Sequence, residues 1–442
     1  MDVDGAVGDK SGSEGKGGAK EDTKVADDKD KLVSVKNGVI KPVDRLKVVY
    51  FDDPELSVYD HKRAHQFKPF RARLAHSLIC TYGLYPKYLD PLHPRLATRT
   101  DLGQFHSDAY LEILSTAQAA ANSKYSWKRL SKGQSLDHNS QDRVNQVFER
   151  FNVHLDPAKS DDAIFPGVLD YCRVVATGSL GCASRLCTGD ANVAINWYGG
   201  MSHARSSRAE NGCYINDTVL SILELLKTFE RVLYINLSGV HCDGVEEAFY
   251  TSNRVMTISF HLKPGIDGPA TGDLGDIGAD QGEGFALNVP LEPGLESDML
   301  VATFKSIVNK ARNVFSPNAI VLQCGAALLS GERGGQFNVM CSAYGECLKL
   351  VRDFNLPLLL LGGCGTSLSN TARLWAYLTA VCLGMEAGMP DVVPENSEYR
   401  EYFGPDYKTM APKIDMPSFN TAKSIQSLRR KVMSHLDKIK KK

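Results

Sequence analysis

Hydrophobic positions along this chain fall into two recurring patterns. Short unbroken apolar runs, VAINW at 193–197, RVLYINL at 231–237, RVMTISFHL at 254–262, AIVLQC at 319–324 and LPLLLLGG at 356–363, alternate with longer amphipathic stretches. A strand buried on both faces reads as a continuous apolar run, so the alternation predicts an α/β fold with a parallel sheet covered by helices on each side. Several runs end in glycine and small polar residues: GGMSHA follows the first, SGVHCDG the second, GAALLSGE and GGCGTS the last two. In open α/β sheets the ligand crevice lies at the carboxyl ends of the strands, so these loops are expected to line any site.

The two ends of the chain differ from this pattern. Residues 1–44, rich in Gly, Ser, Lys and Asp (GDKSGSEGKGGAKEDTK), carry too little apolar surface to offset the entropy of ordering and read as a disordered tail. Residues 45–410 form the expected domain. Residues 411–442 read as a C-terminal tail with a short basic helix, because Ile425, Leu428, Val432 and Leu436 recur at helical spacing. The cations there (Arg429, Arg430, Lys431, Lys438, Lys440, Lys441, Lys442) fit a nuclear-import signal, a weak nucleic-acid contact or a solvated helix face.

Composition narrows the class further. Of 442 residues 43% are hydrophobic, enough for a sizeable core, and 51 Lys plus Arg against 52 Asp plus Glu leave a net charge of -1. Global attraction to nucleic acid or to an anionic membrane is therefore not expected. No apolar run approaches the roughly 20 residues that span a bilayer, and no signal-peptide core precedes the domain, so a soluble intracellular protein is expected. Eleven cysteines, an odd number without a CxxC pair, fit reduced thiols in a nuclear or cytosolic compartment.

The loop sequences carry a specific likeness. NWYGGMSHARS, CYINDTVLSILELLKTFERVLYINLSGVHCDGVEEAFYTSNRVMTISFH, TGDLGDIG, VLQCGAALLSGERGGQFN, FNLPLLLLGGCGTSLSNTARLWAY and EYFGPD, in this order and spacing, resemble the successive blocks of class I histone deacetylases. Upstream, HQFKPFRARLAHSLICTYGLY and QFHSDAYLEIL match the family's N-terminal segment, so the likeness covers about residues 47–408. It implies the arginase/deacetylase fold, a single domain around a parallel sheet of about eight strands.

The resemblance also implies a zinc site, and here the chain departs from it. Family members hold zinc with an Asp and a His two residues apart (DIDIHHGDG) and a second Asp (QCGSDSLSG), leaving a position open for water. In this sequence Ser238, Val240 and Ala327 stand at those positions. A hydroxyl is a poor zinc ligand and the other two side chains have no donor atom, so no metal is expected there; His241 and Cys242 are neighbouring donors but make no three-ligand set alone. The family's His-His pair is Ser202 and His203; Asn236 stands for the first carboxylate partner, while Asp243 keeps the second. Thr366 replaces the tyrosine that meets the developing oxyanion. A leftover His203–Asp243 pair is expected to be structural. Cys242, Cys364, Ser202 and Ser238 are conceivable nucleophiles, but no recognised motif supports a new hydrolytic site.

Around the pocket, Gly212 stands where the family has a Phe of its lysine slot and Gly334 where it has a rim Leu, so the slot is expected to widen or collapse. Asp156 matches the rim Asp that holds a peptide backbone. Lys68 and Arg333 match two residues that hold an inositol phosphate between enzyme and co-repressor, while Ser369 replaces the third. Arg71 and Arg73 are expected to be structural cations, with phosphate binding as the alternative. The implied reading is a deacetylase-like pseudoenzyme, a scaffold or regulatory subunit of a co-repressor-type complex in the nucleus and also the cytoplasm, beside an active paralogue; its alternatives are a residual deacetylase with an atypical site and a non-catalytic histone-tail reader. Such a protein has room for a structural monovalent cation and an inositol phosphate, and calls for no membrane.

Overall fold

A computed structural model describes residues 33–36, 39–42, 46–59, 68–122, 146–154, 163–266, 270–332 and 335–439. The chain divides into two units, Met1–Arg45 and Leu46–Lys442. Within the first, β1 (Val33–Lys36) pairs antiparallel with β2 (Val39–Pro42), Val33 opposite Pro42 and Lys36 opposite Val39. The expected disordered tail thus includes a two-stranded ladder, and the rest of it lies outside the described residues. Asn37-Gly38 between two β-branched runs is the strongest short-range hairpin signal, and the compositional reading passed over it.

The second unit is built on eight strands: β3 (Val48–Phe51), β4 (Asp90–Pro91), β5 (Val193–Asn196), β6 (Val232–Gly239), β7 (Val255–Leu262), β8 (Ala286–Leu291), β9 (Ala319–Gln323) and β10 (Leu358–Leu361). They pair in the order β4-β3-β5-β10-β9-β6-β7-β8, and every neighbouring pair is parallel. The four leucines of β10 sit between β5 and β9, Leu358 opposite both Val193 and Ile320, and all are buried. The five apolar runs all became strands. The three strands the pattern missed are at or near the edges, where β4 is only two residues long and β8 contains Pro290, a residue that sheets accept at edges.

Helices flank the sheet: α1 (Phe70–Thr81), α2 (Arg99–Leu102), α3 (Asp108–Asn122), α4 (Val168–Cys187), α5 (Asp217–Leu225), α6 (Asp243–Phe249), α7 (Ser297–Phe315), α8 (Cys341–Arg352), α9 (Leu368–Leu383) and α10 (Ala422–Lys438). Among the described residues no helix is long and apolar enough to cross a membrane. Trp197 at the end of β5 stacks on Trp375 of α9 with ring centroids 5.7 Å apart, and their indole N–H groups donate to Thr379 Oγ1 and the Cys324 carbonyl. This buried pair ties the ends of β5 and β9 to one helix.

Residues 411–442, expected as a tail, are instead docked on this unit over their described part. The Ile414 N–H donates to Ser330 Oγ at 2.7 Å, Met416 exchanges two hydrogen bonds with Asn338, and the Asn420 amide donates to the Glu292 and Pro293 carbonyls. Helix α10 then packs on α7 with Ile425, Val432 and Leu436 buried. The amphipathic spacing marked the helix, but the hydrogen bonds that dock the segment before it have no periodicity to read.

Candidate functional site

The loops after β5, β6, β9 and β10 meet at the carboxyl end of the sheet. Close backbone approach demands glycine there: a Cβ on Gly200 (φ +91°) would lie 2.7 Å from the Gly363 nitrogen. The first loop is pinned by two neighbours at the start of α5. Asp217 accepts from the Gly200 and Met201 N–H groups at 3.0 and 2.8 Å, and the Asn216 amide donates to the Ser202 and Ala204 carbonyls. Burial raises the Asp217 carboxyl above its ordinary range, opposed by these hydrogen bonds and that of Ser179.

This arrangement brings Ser202, His203 and Ser238 around one recess, with Met201, Gln323 and Cys364. The Gln323 amide is turned by Tyr234, whose hydroxyl donates to Oε1 at 2.7 Å; its Nε2 donates to Ser202 Oγ at 3.2 Å and lies 3.4 Å from Ser238 Oγ. Ser238 donates to Asn236 Oδ1, and Asn236 in turn donates to the Val240 carbonyl at 2.7 Å and Ser259 Oγ at 2.9 Å. The Cys364 thiol donates to the Ser238 carbonyl at 3.1 Å, and burial pushes it up to about 11. The recess measures about 10 Å³, room for about one water. Beside it Met201 and Gly212, with Tyr171 and Tyr214, enclose another of about 10 Å³.

His203 and Asp243 form a buried pair, His203 Nδ1 lying 2.6 Å from Asp243 Oδ1. Asp243 Oδ2 accepts from Arg205 at 2.6 Å, and Arg205 also pairs with Glu247. Burial alone would raise the Asp243 carboxyl, but the hydrogen bond and charge of His203 together with Arg205 and His241 outweigh it and hold it below the ordinary range. Thr366 is drawn elsewhere. Its N–H and hydroxyl donate to Glu332 Oε2 at 2.7 and 3.0 Å, and the Ser367 N–H adds a third bond at 3.0 Å. Burial nevertheless raises the Glu332 carboxyl.

His241 and Cys242 do not join the recess. His241 lies between Thr271 Oγ1 (2.9 Å) and Glu246 Oε2 (3.2 Å) and packs on His261, which burial and His241 push down to about 3. Cys242 is fully buried and its thiol is raised by that burial. Arg71 is structural: it donates to the Gly365 carbonyl at 2.7 Å and its guanidinium lies 5.1 Å from the Trp375 ring centroid. Arg73 is half-buried, 3.7 Å from Glu398, and the Lys68 carbonyl opens helix α1 by accepting from Arg71 N. Asp156, Arg333 and Gly334 lie outside the described residues.

The donor set does not fit a divalent cation. The positions assigned by resemblance to its ligands are a hydroxyl already bonded to Asn236, a Val and an Ala, while the amide of Gln323 and the protonated thiol of Cys364 present hydrogens rather than lone pairs. Among the described residues no group of three or more His, Cys, Asp or Glu side chains is placed to hold a metal. Sequence reasoning missed Gln323, Glu332, Asn216 and Asp217. A polar residue closing an otherwise apolar run, as Gln323 closes AIVLQ, was the available signal.

Comparison with known proteins agrees with the geometry of the fold. The family described as "Histone deacetylase domain" matches residues 65–382. The chain is 42% identical to Histone deacetylase 6 of Arabidopsis thaliana over 89% of this chain and 78% of that protein. It is 42% identical to Histone deacetylase 3 of Oryza sativa subsp. japonica (89% and 72%) and 40% identical to Histone deacetylase 1 of Homo sapiens (89% and 75%). An eight-stranded parallel sheet flanked by helices, matched across most of its length at this identity, places the chain in the histone deacetylase family.

Proposed function

We propose that this protein acts by binding rather than by zinc-dependent amide hydrolysis, as a scaffold or regulatory subunit of a nuclear co-repressor-type complex that also holds an active deacetylase. One observation carries the reading: a recess of about 10 Å³ is lined at its centre by Ser202, Ser238, Gln323 and Cys364, where the Gln323 amide donates to Ser202 Oγ, the Ser238 hydroxyl to Asn236 Oδ1 and the Cys364 thiol to the Ser238 carbonyl. Zinc needs three anionic or imidazole ligands and an open position, and an acyl-lysine stem needs a slot far larger than one water. The framework around the recess supports the same reading. Asp217, Asn216 and the Trp197–Trp375 stack keep the loops shaped while the residues expected to do chemistry have changed.

The test is metal content and turnover on an acetyl-lysine peptide, measured on the folded full-length chain purified with zinc present. Neither stoichiometric zinc nor turnover is expected. Zinc together with turnover would overturn the reading and favour a residual deacetylase, for which the close His203–Asp243 contact is the supporting observation. Purification of the tagged chain from its own cells, followed by mass spectrometry, should recover stable companions; their absence would count against a scaffold.

A further inference from the structure

Helix α10 presents two faces of opposite character. At 3.6 residues per turn, Ile425, Leu428, Val432 and Leu436 share one side, and this side is covered by α7. The dock is rigid: Lys310 of α7 donates to the Met433 carbonyl at 3.0 Å and pairs with Asp437 at 2.6 Å, and Arg429 bonds Ser306. Arg429, read from the sequence as part of the basic run, is thus turned inward. The other side carries Lys423, Arg430, Lys431 and Lys438, all exposed, with Gln426, Ser427 and Ser434 between them. The four cations fall within an arc of about 100° and along about 22 Å of helix. Among the described residues none of the four makes an ion pair, whereas Lys305, Lys310 and Lys349 nearby in the fold are all paired. The one acid of the helix, Asp437, is already engaged by Lys310.

We propose that this face binds the phosphodiester backbone of double-stranded nucleic acid without reading its sequence. Three properties select that partner. The exposed side has no aromatic residue on which an unpaired base could stack, which disfavours single strands. It has no free apolar stripe either, since Ile425, Val432 and Leu436 are already buried, and a helix that lies on a membrane needs one. An extended peptide-like reading of the basic run would require pulling those same residues out of the core. What remains is a preformed row of cations with small hydroxyls, matched to a duplex that carries one negative charge per about 1.7 Å of axis. The net charge of -1 for the whole chain means the attraction is local to this face. The inference is independent of the state of the zinc position, so either can fail without the other.

The test is anisotropy titration of a labelled duplex of arbitrary sequence with the full chain at several salt concentrations. Four phosphate contacts predict a slope of log K against log salt of about −3.6, or about 150-fold weaker binding at 200 than at 50 mM salt. The variant Lys423→Gln/Arg430→Gln/Lys431→Gln/Lys438→Gln keeps good helix formers and should lose the salt-dependent binding. Arg430→Gln/Lys431→Gln alone should about halve the slope. Both leave Lys440, Lys441 and Lys442 in place, so binding that survives the fourfold change would overturn the proposal. So would absence of binding at the lowest salt, or capture of an acidic peptide with equal affinity and equal dependence on the four residues.

Discussion

Replacing Asp243 with Asn should cost about 3 to 5 kcal/mol of stability at neutral pH, the range for removing one partner of a buried charge pair. Asp243 uses both oxygens. Oδ1 faces His203 Nδ1 at 2.6 Å and accepts from the Gly244 N–H at 3.0 Å, and Oδ2 accepts from Arg205 at 2.6 Å. An amide has a single acceptor oxygen, so in either orientation its NH2 group opposes His203 or Arg205. The Arg205 side chain is only 11% exposed, and its remaining anion, Glu247, is 62% exposed and well screened. The pH dependence has a definite sign. Because the folded-state carboxyl is held below its ordinary range, its contribution is complete above the unfolded value of about 3.9 and disappears as pH falls through the lower folded value. Urea unfolding of the two proteins at pH 7 and at steps down to about pH 3 should therefore show a gap that narrows below about pH 4. A gap under about 1 kcal/mol at pH 7, or one that widens in acid, would refute the assignment of Asp243 as a structural counter-ion.

Leu436→Ala removes a fully buried side chain from the α10–α7 contact and should destabilise by about 2 to 5 kcal/mol, with amide exchange accelerating first within Ala422–Lys438; unchanged exchange there would contradict the docking. Cys80 is the only exposed cysteine of eleven, and burial of its sulfur together with Asp52 pushes its thiol up to about 11. Maleimide labelling of the native protein should therefore modify one site, slowly at neutral pH and faster as pH rises toward that value, with two or more fast sites as the contrary result.

The central strands were legible because burial on both faces writes an unbroken apolar run, as in LLLL at 358–361. Edge strands were not: the Asp90–Pro91 pair is too short to carry a pattern, and Pro290 interrupts the one that contains it. At the candidate site, resemblance located Ser202, His203 and Ser238, and the structure brings them together. It also grouped Thr366 with them, whereas Glu332 holds Thr366 through two hydrogen bonds and the neighbouring Ser367 N–H through a third. No sequence rule reports where a short hydroxyl will turn when a buried carboxylate lies within reach. The role of Gln323 was hidden for a related reason, since it depends on Tyr234 two strands' worth of sequence away fixing which end of the amide faces the recess.

The chemistry of the recess also explains why its shape needs no bound group to hold it. Buried polar atoms must find partners, and here they find one another: Tyr234 to Gln323, Gln323 to Ser202, Ser238 to Asn236, Asn236 to Ser259 and the Val240 carbonyl, Cys364 to the Ser238 carbonyl. Each member is neutral, so the chain of bonds closes without leaving a charge to be compensated. A carboxylate introduced at Ser238 alone would enter a space with room for about one water, beside His203, whose Nδ1 already faces Asp243. Desolvation would drive it toward its protonated form, which again makes a hydrogen-bonding neutral group rather than a ligand. A carboxyl at Ser238 alone would therefore not restore metal binding, because its protonated form is taken up by the hydrogen-bond network before it can act on an ion.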